Sequence, residues 1–316
     1  MRLHRIVVLL MLVVFAWSCK KDDDDSIEVV PPRPPAEVKP ENDAEIQAFL
    51  KTHFYNYEEF ANPSTDFDFK IKIDTLAGEN ADKTPLVEQM LTQKVSVSSR
   101  SIGVDEDGST EQILYYLIAR EGVGGSPTIA DSTFLKYEGS LLNGTLFDGI
   151  SDYSWQHLPM FLRGYSQGIT HFKVGDDIVV NPDGTTYISN SGIGFIIIPS
   201  ALGYYDVARP NIPAYSNLLF KIDAGLYVKD TDYDGDGVPS ILEDLNGNGY
   251  LNDDNTDFED ENKVYPYTLT PNFMDRDDDG DGTLTRDEIE IDAEGNITFP
   301  DKDGDGIPDY LDKDTK

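Results

Sequence analysis

Three twelve-residue stretches near the C-terminus carry oxygen-bearing groups at alternating positions and a glycine at the sixth. The first is Asp232, Asp234, Asp236, Gly237, the Val238 carbonyl, Ser240 and Glu243. The second is Asp277, Asp279, Asp281, Gly282, the Thr283 carbonyl, Thr285 and Glu288. The third is Asp301, Asp303, Asp305, Gly306, the Ile307 carbonyl, Asp309 and Asp312. Ligands at positions 1, 3, 5, 7, 9 and 12, with glycine for the sharp turn, are what a Ca²⁺-wrapping loop needs. A fourth stretch is weaker, because amides replace carboxylates: Asp244, Asn246, Asn248, Gly249, Tyr250, Asn252 and Asn255. Residues 229–316 hold 28 of the chain's 59 acidic residues and 7 of its 25 basic ones. So few long apolar runs cannot build an ordinary core. The expectation is a separate module, 229–316, held together by at least three structural Ca²⁺ ions and loose without them. The competing reading is a disordered acidic tail.

The formal net charge of −34 over 316 residues excludes other partners. Phosphate backbones need clustered Lys and Arg, so no nucleic-acid partner is expected. A basic patch for anionic lipid is missing for the same reason. The single cysteine rules out an intramolecular disulfide framework and a cysteine zinc cluster, and four histidines leave little for an imidazole site.

That cysteine has another use. Arg2 and Arg5 precede an apolar run, Ile6 to Ala16, too short to span a bilayer comfortably. Residues 1–18 read as an export signal ending Ala16-Trp17-Ser18 before Cys19. This resembles a bacterial lipobox, with Trp17 bulkier than the strictest pattern, and implies lipidation of Cys19. An ordinary signal peptide with an incidental cysteine is the alternative. Lys20 to Asp25 reads as a solvated linker and also resembles the surface-export signal of Bacteroidetes lipoproteins. The implied location is the outer membrane, on its periplasmic or cell-surface face, with the membrane reached through the lipid anchor. Pro31 to Pro35 suggests a stiff tether over 19–40, and the fold is expected after Pro40.

Beyond it, Asp43–His53 has helical spacing of Ile46, Phe49, Leu50 and His53, and Phe67–Ile73 alternates as a strand would. Residues 77–108 read as an accessory segment, so 41–110 forms an N-terminal helix and accessory region. Strands are expected over Gln112–Arg120, Thr133–Tyr137, Ile193–Pro199 and Asn217–Leu226, with one short helix over Gly164–Phe172. Strands with a single helix imply an α+β domain on an antiparallel sheet, here 111–228.

Short motifs in that domain follow one another in a fixed order. They are Leu135-Lys136-Tyr137-Glu138-Gly139, Asn143-Gly144-Thr145-Leu146-Phe147-Asp148, Phe161-Leu162-Arg163-Gly164-Tyr165, Gly168-Ile169, Lys173-Val174-Gly175, Ile198-Pro199-Ser200-Ala201-Leu202-Gly203-Tyr204, Asn211-Ile212-Pro213 and Leu218-Leu219-Phe220. The order and spacing resemble the FKBP-type peptidyl-prolyl isomerases. The resemblance implies a half-wrapped antiparallel sheet around one short helix, with a proline ring held between them. It implies a pocket of Tyr137, Phe147, Asp148, Leu162, Tyr165, Tyr204, Ile212 and Phe220. Tyr165 stands where the floor is usually Trp, Tyr204 matches the donor to a substrate carbonyl, and Trp155 is a weaker candidate for a further aromatic. The implied partners are proline-containing segments of exported proteins. Departures are Tyr165 itself, an insertion at Asn181–Tyr187, and Tyr205 where glycine is common. They keep two other readings open: a non-catalytic binder of proline segments, and a calcium-dependent interaction module on the same scaffold. In the tail, Pro239 and Pro308 at loop position 8, without long flanking helices, resemble thrombospondin type 3 repeats more than helix-loop-helix sensors.

Overall fold

The computed structural model describes residues 30–315 except Asp183. The expected signal peptide, Cys19 and Lys20–Asp25 lie outside the described residues. The chain divides into two units between Pro32 and Arg33, and all the secondary structure described here belongs to the second.

That unit starts with helix α1, Pro35–Thr52. It therefore begins inside the stretch expected to be tether, and it runs through Pro40. Pro35 has the fixed φ that suits a first helical turn, and the Pro34 carbonyl accepts the Glu37 and Val38 amides. Strand β1 (His53–Tyr55), helix α2 (Tyr57–Ala61) and strand β2 (Ile73–Thr75) follow, β1 and β2 pairing antiparallel. The strand expected over Phe67–Ile73 is thus mostly absent. Phe69 has a left-handed φ of 54°, which a strand cannot accommodate. Phe60, Phe67 and Phe69 pack on one another instead, edge-on and tilted, with neighbouring centroids 5.0 and 4.9 Å apart.

The main sheet contains β3 (Leu91–Ser98), β4 (Ser109–Arg120), β5 (Ser132–Leu141) and β6 (Leu146–His157). After helix α3 (Arg163–Ile169) comes a small hairpin, β7 (Ile178–Val180) and β8 (Thr186–Ile188), built on the insertion. Strands β9 (Gly192–Ile198) and β10 (Leu218–Val228) complete the sheet. Its order is β3-β4-β9-β10-β5-β6, all antiparallel. The segment read as accessory thus supplies edge strand β3, in which only Val95 and Val97 are buried. A single apolar face in a polar strand is a weak sequence signal.

Both faces of the sheet are covered. Helix α3 lies over Leu135, Ile196, Ile198, Phe220 and Ile222. On the other face Ile46, Phe49 and Leu50 of α1 pack with Tyr115, Leu117, Phe195 and Ile197. Every residue of β9 is buried, which is why it reads as an unbroken apolar run. Gly164 and Gly168 let α3 lie close to the sheet: an added Cβ would come within 2.8 Å of Ile198 at the first and 2.7 Å of Ile196 at the second.

The tail has little regular structure: helices α4 (Phe258–Glu261) and α5 (Thr285–Glu288), and the two-residue strands β11 (Glu290–Ile291) and β12 (Ile297–Thr298). Leu251 and Phe273 pack against Ala130 of the sheet domain. Val238, Ile289 and Tyr310 form a second small core within the tail.

Candidate active site and candidate metal centres

Three strands and one helix bring the aromatic residues together: β5, β6, β10 and α3. Gly139 on β5 faces Phe147 and Phe220; a Cβ there would lie 2.6 Å from the Phe147 ring. Phe220, on β10, is the hub. Its ring lies 5.1 Å from Tyr165, 5.6 Å from Phe147 and 6.0 Å from Tyr137. Tyr165, on α3, meets the Tyr137 ring edge-on at 5.6 Å. Ile212 and Phe220 are buried in the same cluster, while Tyr137, Phe147, Leu162 and Tyr204 pack against it half-buried. Leu162 precedes the first residue of α3, so the helix sets its position.

The polar groups are arranged at the rim and floor. The Tyr137 hydroxyl donates to Asp148 Oδ2 at 2.5 Å, and the Gly149 amide donates to Oδ1 of the same exposed carboxylate. Burial, then that carboxylate, push the Tyr137 hydroxyl above the usual tyrosine range, so it stays a donor. Tyr165 is 2% exposed and donates to Gln156 Oε1 at 2.9 Å. The Tyr204 ring lies 5.4 Å from the Arg209 guanidinium, and its hydroxyl makes no hydrogen bond among the described residues. Trp155 is not part of this group: it is 55% exposed and packs on Phe134. A cleft of about 290 Å³ shares Leu162 with the cluster, but Val97, Ile102, Phe161, Tyr250 and Met274 form other parts of its wall. It is a neighbouring recess, not the aromatic site.

The loop carrying Tyr204 and Ile212 is tied to α1. Asn42, buried in that helix, accepts the Ser200 amide (3.0 Å) and hydroxyl (2.6 Å) and donates to the Tyr215 carbonyl (3.0 Å). Tyr205, the departure from glycine, donates its hydroxyl to the Arg33 carbonyl. These anchors could not be read from the sequence, because each joins residues more than 150 positions apart.

The acidic loops repeat one geometry. The first aspartate accepts the amide of the glycine at position 6: Gly237 to Asp232 (3.1 Å), Gly282 to Asp277 (3.0 Å), Gly306 to Asp301 (3.0 Å), and Gly249 to Asp244 (2.9 Å) in the weaker loop. The residue at position 3 accepts the amide of position 5, from 2.9 to 3.2 Å. In the three stronger loops, position 5 accepts that of position 7, from 2.6 to 2.8 Å. Each glycine at position 6 has positive φ, 104° at Gly237, 94° at Gly282 and 98° at Gly306. In Asp234, Asp236, Asp277 and Asp279 one oxygen accepts a turn amide and the other has no partner, whereas both oxygens of Asp232 and of Asp301 accept turn amides. Asp232, Asp234 and Asp236 converge so that ligand atoms lie within 4.8 Å of one another, as do Asp277, Asp279 and Asp281, and Asp301, Asp303 and Asp305.

The remaining candidates divide. Glu243 and Glu288, at position 12, are buried (1% and 3% exposed) with oxygens that have no partner. Ser240 and Thr285 turn inward as hydrogen-bond partners of the Tyr233 and Asp278 amides. Asp309 accepts the Lys302 amide and pairs with its ammonium, and Asp312 accepts from Asp314 and Thr315. Neither joins the Asp301 cluster. The Val238 and Ile307 carbonyls precede Pro239 and Pro308, each of which opens a short 3-10 turn. The Thr283 carbonyl lies just before α5.

The buried carboxylates repel. Burial first, then neighbouring carboxylates, push Glu243 to about 10, and burial with Asp236 pushes Asp278 to about 9. Asp234 and Glu288 rise to about 7, and Asp236 and Asp279 to about 6, chiefly through burial. Orphaned, converging oxygens of this kind fit a hard oxygen-seeking cation. Asp278 was not among the expected ligands; its only sequence signal is the run Asp277-Asp278-Asp279, one carboxylate more than the loop pattern uses.

The tail docks on the sheet domain beside α3. Arg163 donates to the Asn248 carbonyl and Gln167 to the Gly249 carbonyl, both at 2.9 Å. His157 stacks on Tyr233 with centroids 4.2 Å apart.

A family model described as BamM C-terminal matches residues 233–300. The FKBP-type peptidyl-prolyl cis-trans isomerase FkpA of Aeromonas hydrophila is 26% identical over 174 residues, 54% of this chain and 58% of that protein. The peptidyl-prolyl cis-trans isomerase Mip of Coxiella burnetii is 28% identical over 116 residues, 35% of this chain and 43% of that protein. The chain spans about half the length of the curated relatives it matches. Among solved structures, FkpA from Escherichia coli aligns at 19% identity and a TM-score of 0.32, over 61% of this chain and 63% of that one. The sequence matches establish distant homology to the FKBP-type peptidyl-prolyl isomerases.

Proposed function

We propose, from that distant homology, that the sheet domain isomerises X-Pro peptide bonds, with an FKBP-like half-wrapped sheet around α3 as its scaffold. The observation that carries the reading is the joint placement of Tyr137, Phe147, Tyr165 and Phe220 around one hub beside an unengaged Tyr204 hydroxyl.

The chemistry needs no nucleophile. Amide resonance sets a barrier of about 18–20 kcal/mol to rotation. The proline ring enters the aromatic gap above Tyr165, and the Leu162 backbone meets the flanking substrate. Stripping water from the twisting amide favours its less polar, twisted form. The Tyr204 hydroxyl donates to a substrate carbonyl and holds the chain on one side of the rotating bond. Asp148, oriented by Tyr137, presents its charge to the amide as its dipole changes. Binding the twisted form more tightly than either planar form lowers the barrier. A second reading, a non-catalytic grip on proline segments, is favoured by the tethered Tyr165 hydroxyl, which makes the floor partly polar. Isomerisation of an X-Pro peptide by the full chain separates them: rates above the uncatalysed one support the enzyme, and binding without acceleration supports the grip.

The tail belongs to the same proposal. Three loops, Asp232–Glu243, Asp277–Glu288 and Asp301–Asp312, would hold Ca²⁺ through their converging carboxylates. When bound, Ca²⁺ supplies the positive charge that lets these carboxylates stay ionised and buried. Its role there is structural. The clients are proline-containing segments of exported proteins, met at the bacterial envelope or cell surface. Lipidated Cys19 would fix the protein to the outer membrane, two or more acyl chains being enough for stable anchoring.

A further inference from the structure

Asp236, Glu243 and Asp278 stand together although they come from two loops. Ligand atoms of the three lie within 4.8 Å of one another, and each residue is 1% exposed. Neither oxygen of Glu243 has a hydrogen-bond partner, nor has Asp236 Oδ2 or Asp278 Oδ1. Asp278 is not left there by chance of rotamer. Its other oxygen accepts the Thr285 hydroxyl at 3.1 Å, and its amide donates to the same hydroxyl at 3.2 Å. Oδ1 is thereby turned away from its own loop. Arg276, just before the second loop, donates to the Asp234 carbonyl at 2.6 Å and pins the two loops together.

We propose that Asp278, at position 2 of the second loop, is a ligand of the first loop's cation, so that this site is built from both loops. The inference rests on the calcium reading of the tail. Loop geometry does not demand an acid at position 2: Tyr233 occupies it in the first loop and Lys302 in the third. Three buried carboxylates with orphaned oxygens are too costly to persist without a cation or protons. Oxygen ligands alone, on a flexible loop, suit Ca²⁺ over a smaller octahedral ion. The consequence is coupling: the first loop's site forms only when the second loop is in place.

The test keeps the second loop intact. In the full chain, Asp301 and Asp303 are replaced by Asn, which removes ligands of the third loop and leaves Asp277 and Asp279 to hold the second loop in place. Calorimetric titration with Ca²⁺ then reads the remaining steps, and Asp232→Asn identifies the one that belongs to the first loop's site. Adding Asp278→Asn must weaken it about ten-fold or more, because it removes a charged ligand; unchanged affinity overturns the shared site while leaving the calcium reading intact. No Ca²⁺ binding by the unsubstituted chain at millimolar concentration overturns both. If the multiple variant does not fold, Asp278→Asn alone is read with Tb³⁺. Tyr310, 4% exposed and packed with Val238 of the first loop, serves as the sensitiser. The part of the Tb³⁺ emission that Tyr310→Phe abolishes must fall with Asp278→Asn, and its retention overturns the proposal.

Discussion

The Tyr137 hydroxyl donates a 2.5 Å hydrogen bond to Asp148 Oδ2, across a strand pair that is bulged before Tyr137 and after Gly139. Between the bulges the register pairs Tyr137 with Ile150 and Gly139 with Asp148, so Tyr137 and Asp148 are diagonal neighbours on one face of the pair. Asp148→Asn and Tyr137→Phe should each lower kcat/KM for an X-Pro peptide about ten-fold, with the Asp148 variant as stable as the parent. Tyr204→Phe, which removes one donor to substrate, should cost about five- to ten-fold. Unaltered rates in all three would sink the site assignment.

Tyr165 and Gln156 form a buried polar pair at the pocket floor, 2% and 4% exposed. Tyr165→Phe leaves the Gln156 carbonyl unsatisfied and should cost about 1–3 kcal/mol of stability. Denaturant unfolding measures it. A Phe variant as stable as the parent would show that water already satisfies Gln156.

Asn42 links α1 to the Tyr204 loop through Ser200 and Tyr215. Asn42→Ala should destabilise the chain by about 1–3 kcal/mol and raise KM more than it lowers kcat, because the loop loses its position. A chain starting at residue 41 lacks Arg33, Pro35 and Val38. It should melt earlier than one starting at residue 30, and equal melting temperatures would refute the anchoring role.

His157 stacks on Tyr233 at the tail junction, and burial lowers its pKa to about 4. The unfolded value is near 6.5, so between these pH values the unfolded state binds more protons. Stability at this site therefore falls as pH drops from about 6.5 to about 4. The raised carboxylates, Asp234, Asp236, Asp279 and Glu288 among them, act in the opposite sense in the metal-free chain. The readout is thus the difference between the parent and His157→Gln, both with Ca²⁺: the parent should show the steeper acid loss. Parallel curves would mean that His157 protonates freely.

Chelation should loosen the tail and leave the sheet domain folded, since the main core of the sheet domain contains no tail residue and only the small cluster of Ala130, Leu251 and Phe273 is shared. Limited proteolysis should then cut within residues 229–316 with chelator and be slowed by millimolar Ca²⁺. Equal cleavage under both conditions would count against a metal-supported tail.

Local patterns explain which parts could be read early. The three acidic loops, the buried run of β9 and the short helix α3 are each specified by residues close together in sequence. Their signals are spacing, period and glycine placement, which need no partner to be seen. The aromatic motifs were legible for a different reason, as an ordered resemblance over a long stretch. Strands β3 and β6 were not, because their polar residues face water on a sheet edge and only their neighbours make them strands. The strand expected at Phe67–Ile73 failed because three phenylalanines found one another instead of a ladder.

The sequence by itself determined where carboxylates alternate, where glycine permits a turn, and which residues are candidates for a proline-binding surface. Tertiary structure alone decided that residues 35–98 close the second face of the sheet and supply its edge strand. It also decided that Tyr205 and Asn42 brace the Tyr204 loop, and that Asp278 faces the first acidic loop from the second. The physical reason is range. Hydrogen-bonded turns form between near neighbours, whereas burial and charge clustering depend on which distant segments the closed core brings within a few ångströms.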